Sequence, residues 1–355
     1  MLHLGTETTL AQLQAALDAR SSIVVTTSGS TGNPKRVHLG AAALEASVRA
    51  SAEVIGEGNW YLCLPLQYIA GVQVVNRARV SGGQLVTREQ ASSFAAAVKA
   101  LAAPRYTSVV PSQLQSVFER VVDEDPVVAA EGEAELAALA QFHTILVGGQ
   151  SLPERLRRRA RAAGLRLVET YGSAETAGGC VYDGVALPGV RVWLRPSDER
   201  ILLEGLMLAE GYVDADGRVD QARTYEHFLW HGGGRWYLSD DRGELGQQGQ
   251  LEVRGRVDEV IISGGLKLDL AEVQRWLDTV CAGAVAFPAS SARWGQRLGV
   301  FLTAAQFEHA EPLRQQLVDH FGVQAAPAIV SASIAPLLPN GKLDRQVLAN
   351  MVADE

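Results

Sequence analysis

The sequence predicts an α/β protein: a large N-terminal domain of mixed α/β layers with a small β unit, followed by a small α+β C-terminal domain. Strand-like runs alternate with helical segments through the first half of the chain. Short strand-like runs separated by Gly- and Asp-rich turns come next, and the last part mixes helices and strands again. The 355 residues suit two or three domains, at roughly 100 to 200 residues each. We place the domains at residues 1–256 and 257–355.

The N-terminal half shows the alternation of helix and strand that is typical of an α/β chain. Its first strand is a β-branched run, and its first long helix is rich in Ala. The predicted elements are a helix after Thr8, a strand at Ile23–Thr27, a helix from about Gly40, strands at Trp60–Leu64 and Tyr106–Val110, a helix after Pro111, a strand at Thr144–Val147, a helix after Pro153 and a strand at Arg166–Glu169.

After about Val181 the pattern changes to short strands, which indicates a small antiparallel β unit. Its predicted strands are Arg191–Arg195, Arg200–Leu203, Tyr225–Trp230, Arg235–Leu238 and Gln250–Val253. The C-terminal domain then has predicted helices at Leu270–Asp278 and Glu311–Phe321 and strands at Ala282–Phe287 and Arg297–Ala304. The change of pattern and nearby glycines place the boundary near Arg256–Asp258.

The composition argues against several classes of protein. Lys plus Arg number 32 and Asp plus Glu number 40, giving a net charge of −8 without a long run of either sign. This charge disfavours a nucleic-acid-binding scaffold. The first residues lack a basic region followed by an apolar core, and no stretch approaches the roughly 18 successive apolar residues that span a bilayer. We therefore expect a cytoplasmic protein with no nucleic-acid partner and no membrane insertion.

The cysteines and histidines do not indicate a metal or disulfide site. Cys63, Cys180 and Cys281 lie far apart, so we expect buried, small apolar residues. His227 and His231 are four residues apart, but the residues between them look like a strand and no Glu completes a His-Glu-x-x-His motif. We expect core or surface histidines rather than a zinc site.

The segment TTSGSTGNPK, residues 26–35, is the strongest candidate for chemistry. Hydroxyl side chains, two glycines and a lysine after a strand offer the backbone N–H groups, O–H donors and cation that a polyphosphate needs. It is neither a Walker A sequence nor a dinucleotide fingerprint. A flexible surface loop would explain the Ser and Gly content but not the placement after a strand. The predicted phosphate-binding residues are Thr27, Ser28, Gly29, Ser30, Thr31, Gly32 and Lys35.

This loop resembles the signature loop of the adenylate-forming superfamily, which includes acyl-CoA synthetases, adenylation domains and luciferases. Further segments match that superfamily in the same order along almost the whole chain. They are YGSAET at 171–176, SDDRG at 239–243, GRVDE at 255–259 with SGGLK at 263–267, and PNGKLDR at 339–345. Five ordered matches make a chance likeness very improbable.

The resemblance implies a nucleotide site. Besides the loop, its ATP-binding residues would be Tyr171, Gly172, Ser173, Thr176, Asp241 and Arg256. Glu175 would bind Mg²⁺, which prefers hard oxygen ligands completed by substrate phosphates. Asp241 would accept both ribose hydroxyls of ATP, as a bidentate acceptor can. Taken singly, a Glu after a turn such as Glu175 is usually just solvated, and Asp241 would be an acid in a β-turn.

The later motifs imply a mobile C-terminal domain and a site for CoA. Asp258 would be the hinge whose backbone torsions absorb the rotation. Gly264 and Gly265 would let the pantetheine arm of CoA approach closely, because no Cβ blocks the backbone. Lys342 would bind the carboxylate and the α-phosphate during adenylation. The implied catalytic residues are Lys35, Arg256 and Lys342. Taken in isolation, Arg256 and Asp258 would form a surface ion pair, the two glycines a turn, and Lys342 would be a solvated lysine.

The chain reaches its phosphate loop by Thr26, earlier than most of the superfamily, and in this it resembles the compact o-succinylbenzoate-CoA ligases of menaquinone biosynthesis. Tyr68 stands where most of the superfamily has His. The implied substrate-binding residues are Tyr68, Arg77, Ser112, Gly148 and Gly149. Since o-succinylbenzoate has two carboxylates and only one is activated, its pocket needs a cation or hydroxyl donors for the other, and Arg77 is the candidate.

The implied activity is an ATP-dependent ligation in two steps, with Mg²⁺ as cofactor and CoA as cosubstrate. A runner-up is another aryl- or acyl-CoA ligase, and Arg77 discriminates between the two because a mono-carboxylate gives a buried cation no partner. A non-catalytic nucleotide-binding homologue is a third hypothesis, although Lys342 and Glu175 are both retained. The expected partners are therefore small molecules, and a homodimer is expected only because dimers are the commonest oligomers.

Overall fold

The computed structural model describes residues 1–27, 35–263, 265–291, 295–333, 336 and 344–352. It confirms the predicted α/β class. The chain forms two compact units. The first comprises Met1–Trp193, Leu202–Ser239 and Leu245–Leu251, and the second comprises Leu194–Ile201, Asp240–Glu244 and Glu252–Glu355. The domain boundary predicted after residue 256 stays a prediction.

The strands agree with most of those predicted from the sequence, with ends shifted by a few residues. In chain order they are β1 (Leu2–His3), β2 (Ile23–Thr27), β3 (Lys35–Leu39), β4 (Asn59–Leu62), β5 (Leu85–Thr87), β6 (Arg105–Val109), β7 (Thr144–Val147), β8 (Leu167–Ser173), β9 (Gly178–Tyr182), β10 (Val185–Ala186), β11 (Arg191–Leu194), β12 (Arg200–Glu204), β13 (Gly211–Val213), β14 (Phe228–His231), β15 (Gly234–Leu245), β16 (Leu251–Arg256), β17 (Val260–Ser263), β18 (Leu266–Asp269), β19 (Val285–Ser291), β20 (Gly295–Thr303) and β21 (Ala328–Ala332).

Several helices begin at signals that the sequence carries. Thr9 and Gln12 form a reciprocal capping box at the first helix, and prolines open the fifth and sixth. The described helices are α1 (Leu10–Asp18), α2 (Ala41–Ile55), α3 (Ile69–Ser81), α4 (Phe94–Ala100), α5 (Pro111–Val121), α6 (Pro126–Leu139), α7 (Glu154–Ala162), α8 (Gln221–His227), α9 (Leu270–Val280), α10 (Ala310–Phe321) and α11 (Arg345–Val352). None of them is long and apolar enough to cross a membrane.

A seven-stranded sheet in the order β10-β9-β8-β7-β6-β4-β5 forms the centre of the first unit. Strands β5, β4, β6, β7 and β8 are parallel, and β9 runs antiparallel to β8. All four residues of β7 are buried, as expected for a parallel strand covered on both faces. Because these strands are parallel, the segments that follow them start from one edge of the sheet.

A second sheet of the first unit, β1-β2-β3-β13, carries the ends of the predicted phosphate loop. β2 and β3 are antiparallel, with Thr27 directly opposite Lys35. β3 also pairs with β13, where Val37 lies opposite Tyr212. The loop between Thr27 and Lys35 therefore starts and ends at one pair of strands.

The strands of the predicted small β unit form the order β11-β12-β15-β14, with β16 paired to β15. One prediction here was wrong: Tyr225–Trp230 is not a single strand, because helix α8 runs to His227 and only Phe228–His231 is extended. The Asp220 carboxylate accepts a hydrogen bond from the Arg223 N–H (3.1 Å) and so starts a helix. The aromatic residues had suggested a strand, but the cap decides the local structure.

The second unit has its own sheet and its own core. The sheet order is β18-β17-β20-β19, and β21 pairs in parallel with β20. Helices α9 and α10 place Val273, Leu277 and Leu317 in a core with Val300 of β20. The helices and strands predicted for this part of the chain are therefore confirmed, with changed ends.

Candidate active site

The structure brings five of the predicted site residues to one edge of the seven-stranded sheet, the edge formed by the carboxyl ends of its parallel strands. Tyr68 lies between β4 and α3, and Ser112 lies in the first turn of α5 after β6. Gly148 and Gly149 follow β7, and Tyr171 lies near the end of β8. Carboxyl ends of parallel strands are where α/β proteins bind their ligands. The edge is therefore a candidate binding site.

The segment from Gly172 to Thr176 is held tightly by the neighbouring strand β9. A Cβ atom at Gly172 would lie 2.1 Å from the carbonyl oxygen of Gly178, so only glycine fits. The Thr176 hydroxyl accepts a hydrogen bond from the Ser173 N–H (2.8 Å) and donates one to the Gly178 carbonyl (2.8 Å). These bonds fix the backbone that presents the neighbouring Glu175.

Glu175 is a buried carboxylate with a specific partner. Its residue is 5% exposed and lies in the 3₁₀ turn Ala174–Thr176 directly after β8. The Tyr212 hydroxyl on β13 donates a hydrogen bond of 2.8 Å to Glu175 Oε1, and the Ala209 N–H donates one of 2.8 Å to the Glu175 carbonyl. Since β13 pairs with β3, which begins at Lys35, these contacts connect Glu175 with the sheet that holds the ends of the phosphate loop.

The donor chemistry of Glu175 fits the predicted magnesium. A carboxylate supplies the hard oxygen ligands that Mg²⁺ prefers, and magnesium at a nucleotide is commonly held by one or two carboxylates together with the phosphates. Tyr212 orients one carboxylate oxygen, as a hydrogen bond to a metal ligand usually does.

The phosphate loop itself is only partly described. The Thr27 hydroxyl donates to the Lys35 carbonyl (3.4 Å), and both residues are half-buried. Ser28, Gly29, Ser30, Thr31 and Gly32 lie outside the described residues, as do Gly264 and Lys342. Gly265 is described and has φ +85°, a left-handed conformation that favours glycine.

Arg256 lies in a cluster of three carboxylates in the second unit. Its guanidinium nitrogens lie 2.8 Å from Asp258 Oδ1, 3.2 Å from Asp241 Oδ1 and 3.6 Å from Asp240 Oδ2. Asp240 also accepts a hydrogen bond from Arg200 (2.8 Å). The structure thus brings together Asp241, Arg256 and Asp258, which the sequence had singled out for ribose binding, phosphate contact and the hinge.

The charges of this cluster keep Arg256 protonated. Burial alone would lower the pKa of the guanidinium, but the hydrogen bond to Asp258 and the charges of Asp241 and Asp240 outweigh burial and raise the pKa above its usual range. Arg256 is therefore a permanent cation that carboxylates already hold in position, and such a cation can bind phosphate oxygens.

Arg77 lies on helix α3 and is buried, with only 6% of the residue exposed. Its Nη2 donates to the Tyr182 hydroxyl (3.2 Å), and its guanidinium carbon lies 5.3 Å from the centre of a Trp60 ring. These described contacts are with strands β9 and β4 rather than with Ser112 or Gly148. Arg77 is thus a buried cation, as its predicted role requires, but it does not join the group at the sheet edge.

Sequence reasoning missed three residues that hold the predicted ones. Tyr212 holds Glu175, Tyr182 holds Arg77, and the Gln73 amide on α3 donates to the Ala177 carbonyl (2.6 Å) next to the 3₁₀ turn. The partners of these three residues lie far away along the chain, so no local pattern in the sequence pointed to them.

His227 and the three cysteines are buried residues of the protein interior. His227 is buried at the end of α8, with Nδ1 3.2 Å from the Leu238 carbonyl. Cys63, Cys180 and Cys281 are buried, as expected. Burial raises the pKa of the Cys63 thiol to about 11, so this thiol is protonated at neutral pH.

Comparison with known proteins finds one family along the chain. The family described as AMP-binding enzyme matches residues 10–201. A protein of Mycobacterium tuberculosis strain CDC 1551 named probable 2-succinylbenzoate–CoA ligase is 35% identical over 96% of this chain and 86% of its own length. The 2-succinylbenzoate–CoA ligase of Escherichia coli K12 is 27% identical over 92% of this chain and 68% of its own.

Solved structures give the same architecture. The o-succinylbenzoate CoA synthetase (MenE) of Bacillus subtilis, solved with the acyl-adenylate OSB-AMP, matches with a TM-score of 0.70 at 22% identity, over 92% of this chain and 68% of that one. A variant of E. coli MenE with bound OSB-AMS matches with a TM-score of 0.71 at 25% identity, over 94% and 69% of the two chains. The fold of this chain is therefore that of these proteins.

Proposed function

The chain belongs to the family of AMP-binding enzymes, and we propose that it is an ATP-dependent o-succinylbenzoate-CoA ligase of menaquinone biosynthesis, an AMP-forming acid–CoA ligase. One observation carries the choice of substrate: the M. tuberculosis relative of that name shares 35% of its residues over 96% of this chain. The buried Arg77 supports it, because a dicarboxylate leaves one anion for such a cation to bind.

In the first half-reaction, the substrate carboxylate attacks the α-phosphate of ATP, and the bond to pyrophosphate breaks. The products are an acyl-adenylate and pyrophosphate. We assign the phosphates to the loop from Thr27 to Lys35 and to the segment Tyr171–Thr176, and the ribose hydroxyls to Asp241. Mg²⁺ held by Glu175 would neutralise phosphate charge. Lys342 and Arg256 stabilise the charge that develops at the α-phosphate.

The acyl group lies, in this proposal, along the sheet edge between Tyr68, Ser112 and the turn Gly148–Gly149. The tyrosine ring supplies an aromatic wall, and the glycines let the backbone approach the substrate. Arg77 binds the carboxylate that is not activated. Arg77 is not at the sheet edge itself but lies farther along helix α3, which begins directly after Tyr68, so the carboxylate that it binds is the one remote from that edge. Its burial favours this role, since a cation out of water binds an anion more strongly than a surface arginine does.

In the second half-reaction, the CoA thiolate attacks the acyl carbon of the adenylate, and AMP leaves with the bonding electrons. We propose that backbone rotation at Asp258 exchanges Lys342 for the CoA-binding turn Gly264–Gly265 between the half-reactions. The enzyme would work in the cytoplasm, where ATP and CoA are available, and a homodimer is the simplest assembly.

The test is pyrophosphate release with ATP and Mg²⁺ against o-succinylbenzoate, benzoate and medium-chain acids, each with and without CoA. We expect turnover confined to o-succinylbenzoate and completed to a thioester only with CoA. Activity on a mono-carboxylate alone would keep the family and the mechanism but refute the substrate and the role of Arg77. No turnover of any acid would favour a non-catalytic nucleotide-binding protein.

A further inference from the structure

Arg77 is an unusual residue, because it is a buried cation to which no carboxylate of the described part of the chain is paired. It makes no ion pair with the described residues, and its Nε is buried without a hydrogen-bond partner among them. Buried charges in proteins are normally paired. An arginine in this state has unused capacity to bind an anion.

One hydroxyl group contacts the guanidinium without neutralising it, and a second hydroxyl group holds the first. Arg77 Nη2 donates to the Tyr182 hydroxyl (3.2 Å), and that hydroxyl lies 2.8 Å from Ser51 Oγ. Because the Tyr182 oxygen accepts from Arg77, its own proton is available for Ser51. Tyr182 is 3% exposed and Ser51 is fully buried, so water does not compete for these bonds.

The parts of this arrangement come from separate elements. Arg77 is on α3, Ser51 on α2, Tyr182 at the end of β9 and Trp60 on β4. The Trp60 ring covers one face of the guanidinium at 5.3 Å, and Arg77, Ser51 and Trp60 line one small pocket. The ring and the hydroxyl together restrict both the tilt and the rotation of the guanidinium plane.

We propose that Tyr182, itself held by Ser51, is a positioning residue that sets the Arg77 guanidinium for the non-activated carboxylate of the substrate. The inference rests on the proposed function. The neutrality of both hydroxyls carries it: an aspartate or glutamate at position 182 would orient Arg77 equally well but would cancel its charge, whereas a phenol orients the cation and leaves its charge to the substrate.

The decisive variant is Tyr182→Phe, which removes one oxygen and keeps the ring. We expect kcat/KM for o-succinylbenzoate to fall about tenfold, chiefly through KM, as for one lost hydrogen bond to a charged group. KM for ATP should not change. Two mono-carboxylate analogues, each lacking a different carboxylate of the substrate, complete the assay. The analogue that keeps the activated carboxylate is still turned over, and it lacks the carboxylate that Arg77 binds. Its kcat/KM should therefore be the same in the variant and in the wild type.

Ser51→Ala tests the second link of the chain. It should raise KM for o-succinylbenzoate less than Tyr182→Phe does, and the double variant should be no worse than Tyr182→Phe alone, because Ser51 acts only through Tyr182. Tyr61→Phe is the matched control. Its buried hydroxyl donates to the Ala91 carbonyl (2.7 Å), so its loss lowers the melting temperature without changing the preference between substrates.

The outcomes separate the two proposals. If the wild type does not turn over o-succinylbenzoate, the proposed function fails, and this inference fails with it. If the wild type is active but Tyr182→Phe loses activity equally on the substrate and on the analogue, Tyr182 has only a structural role. Should Tyr182→Phe not fold, an unchanged preference in Ser51→Ala would also refute the inference.

Discussion

Glu175 shows how a single residue acquires its environment from the fold. Its carboxylate is buried directly after β8, and the Tyr212 hydroxyl donates to Oε1 at 2.8 Å. Burial of a charged group is unfavourable unless hydrogen bonds or a counter-charge offset it. The proposed Mg²⁺ is such a counter-charge, and Tyr212 orients the carboxylate toward one geometry.

A substitution of Glu175 separates charge from hydrogen bonding. Glu175→Gln keeps an oxygen that accepts from Tyr212 but removes the negative charge. We expect acyl-adenylate formation to slow by about 100-fold and the Mg²⁺ concentration for half-maximal activity to rise. Tyr212→Phe keeps the charge and should slow the reaction about tenfold at most. Pyrophosphate exchange measured against Mg²⁺ concentration checks both, and an unchanged Mg²⁺ dependence in Glu175→Gln would argue against a metal ligand.

At the scale of elements, helix α4 depends on a side chain from another helix. Glu135 of α6 accepts hydrogen bonds from the N–H groups of Phe94 (2.9 Å) and Ala95 (3.2 Å), and Ser93 caps the same turn. The first N–H groups of a helix have no partner within it, and a carboxylate there is also stabilised by the helix dipole. Glu135 therefore joins two helices that are separate in sequence.

Glu135→Ala should lower the free energy of unfolding by about 1–3 kcal/mol, because a buried N–H group at Phe94 and a half-buried one at Ala95 lose their acceptor. Urea unfolding followed by circular dichroism measures the change. Glu131→Ala is the control, since Glu131 lies on the same helix and is exposed. KM for ATP should be the same in both variants. Equal stability of the two variants would show that the Glu135 contact contributes nothing.

At the scale of the whole molecule, the proposed residues are divided between two compact units. Lys35, Arg77 and Glu175 belong to the first unit, and Asp241 and Arg256 belong to the second. Each unit has its own sheet and core. The residues that we assign to the reaction therefore come from both units.

Lys342→Ala tests whether the two half-reactions depend on different residues. We expect acyl-adenylate formation from ATP to be abolished, while transfer of the acyl group from supplied acyl-adenylate to CoA is largely retained, because Lys342 serves only the first step. Single-turnover measurements of the two half-reactions check this. Lys99→Ala, an exposed lysine on α4, is the control. Equal loss of both half-reactions would contradict the division of labour.

Local patterns were enough to predict much of the fold. The β-branched run at Ile23–Thr27, the Ala-rich helix after Gly40 and the helix opened by Pro111 all form where the sequence predicts them. These elements depend on propensities and caps within a few residues. The strand predicted over Tyr225–His227 was wrong because two local signals conflict there. The aromatic residues favour a strand, but the Asp220 cap favours a helix.

The sequence by itself therefore determined the α/β class, the order of the motifs and the residue types of the candidate site, since each lies in a short segment. Only the tertiary structure decided which other side chains form hydrogen bonds with these site residues. Arg77 and Tyr182 are 105 residues apart in the chain, and Ser51 and Tyr182 are 131 apart. Such partners are chosen by packing between α2, α3 and β9, and burial makes their hydrogen bonds necessary because no water can replace them.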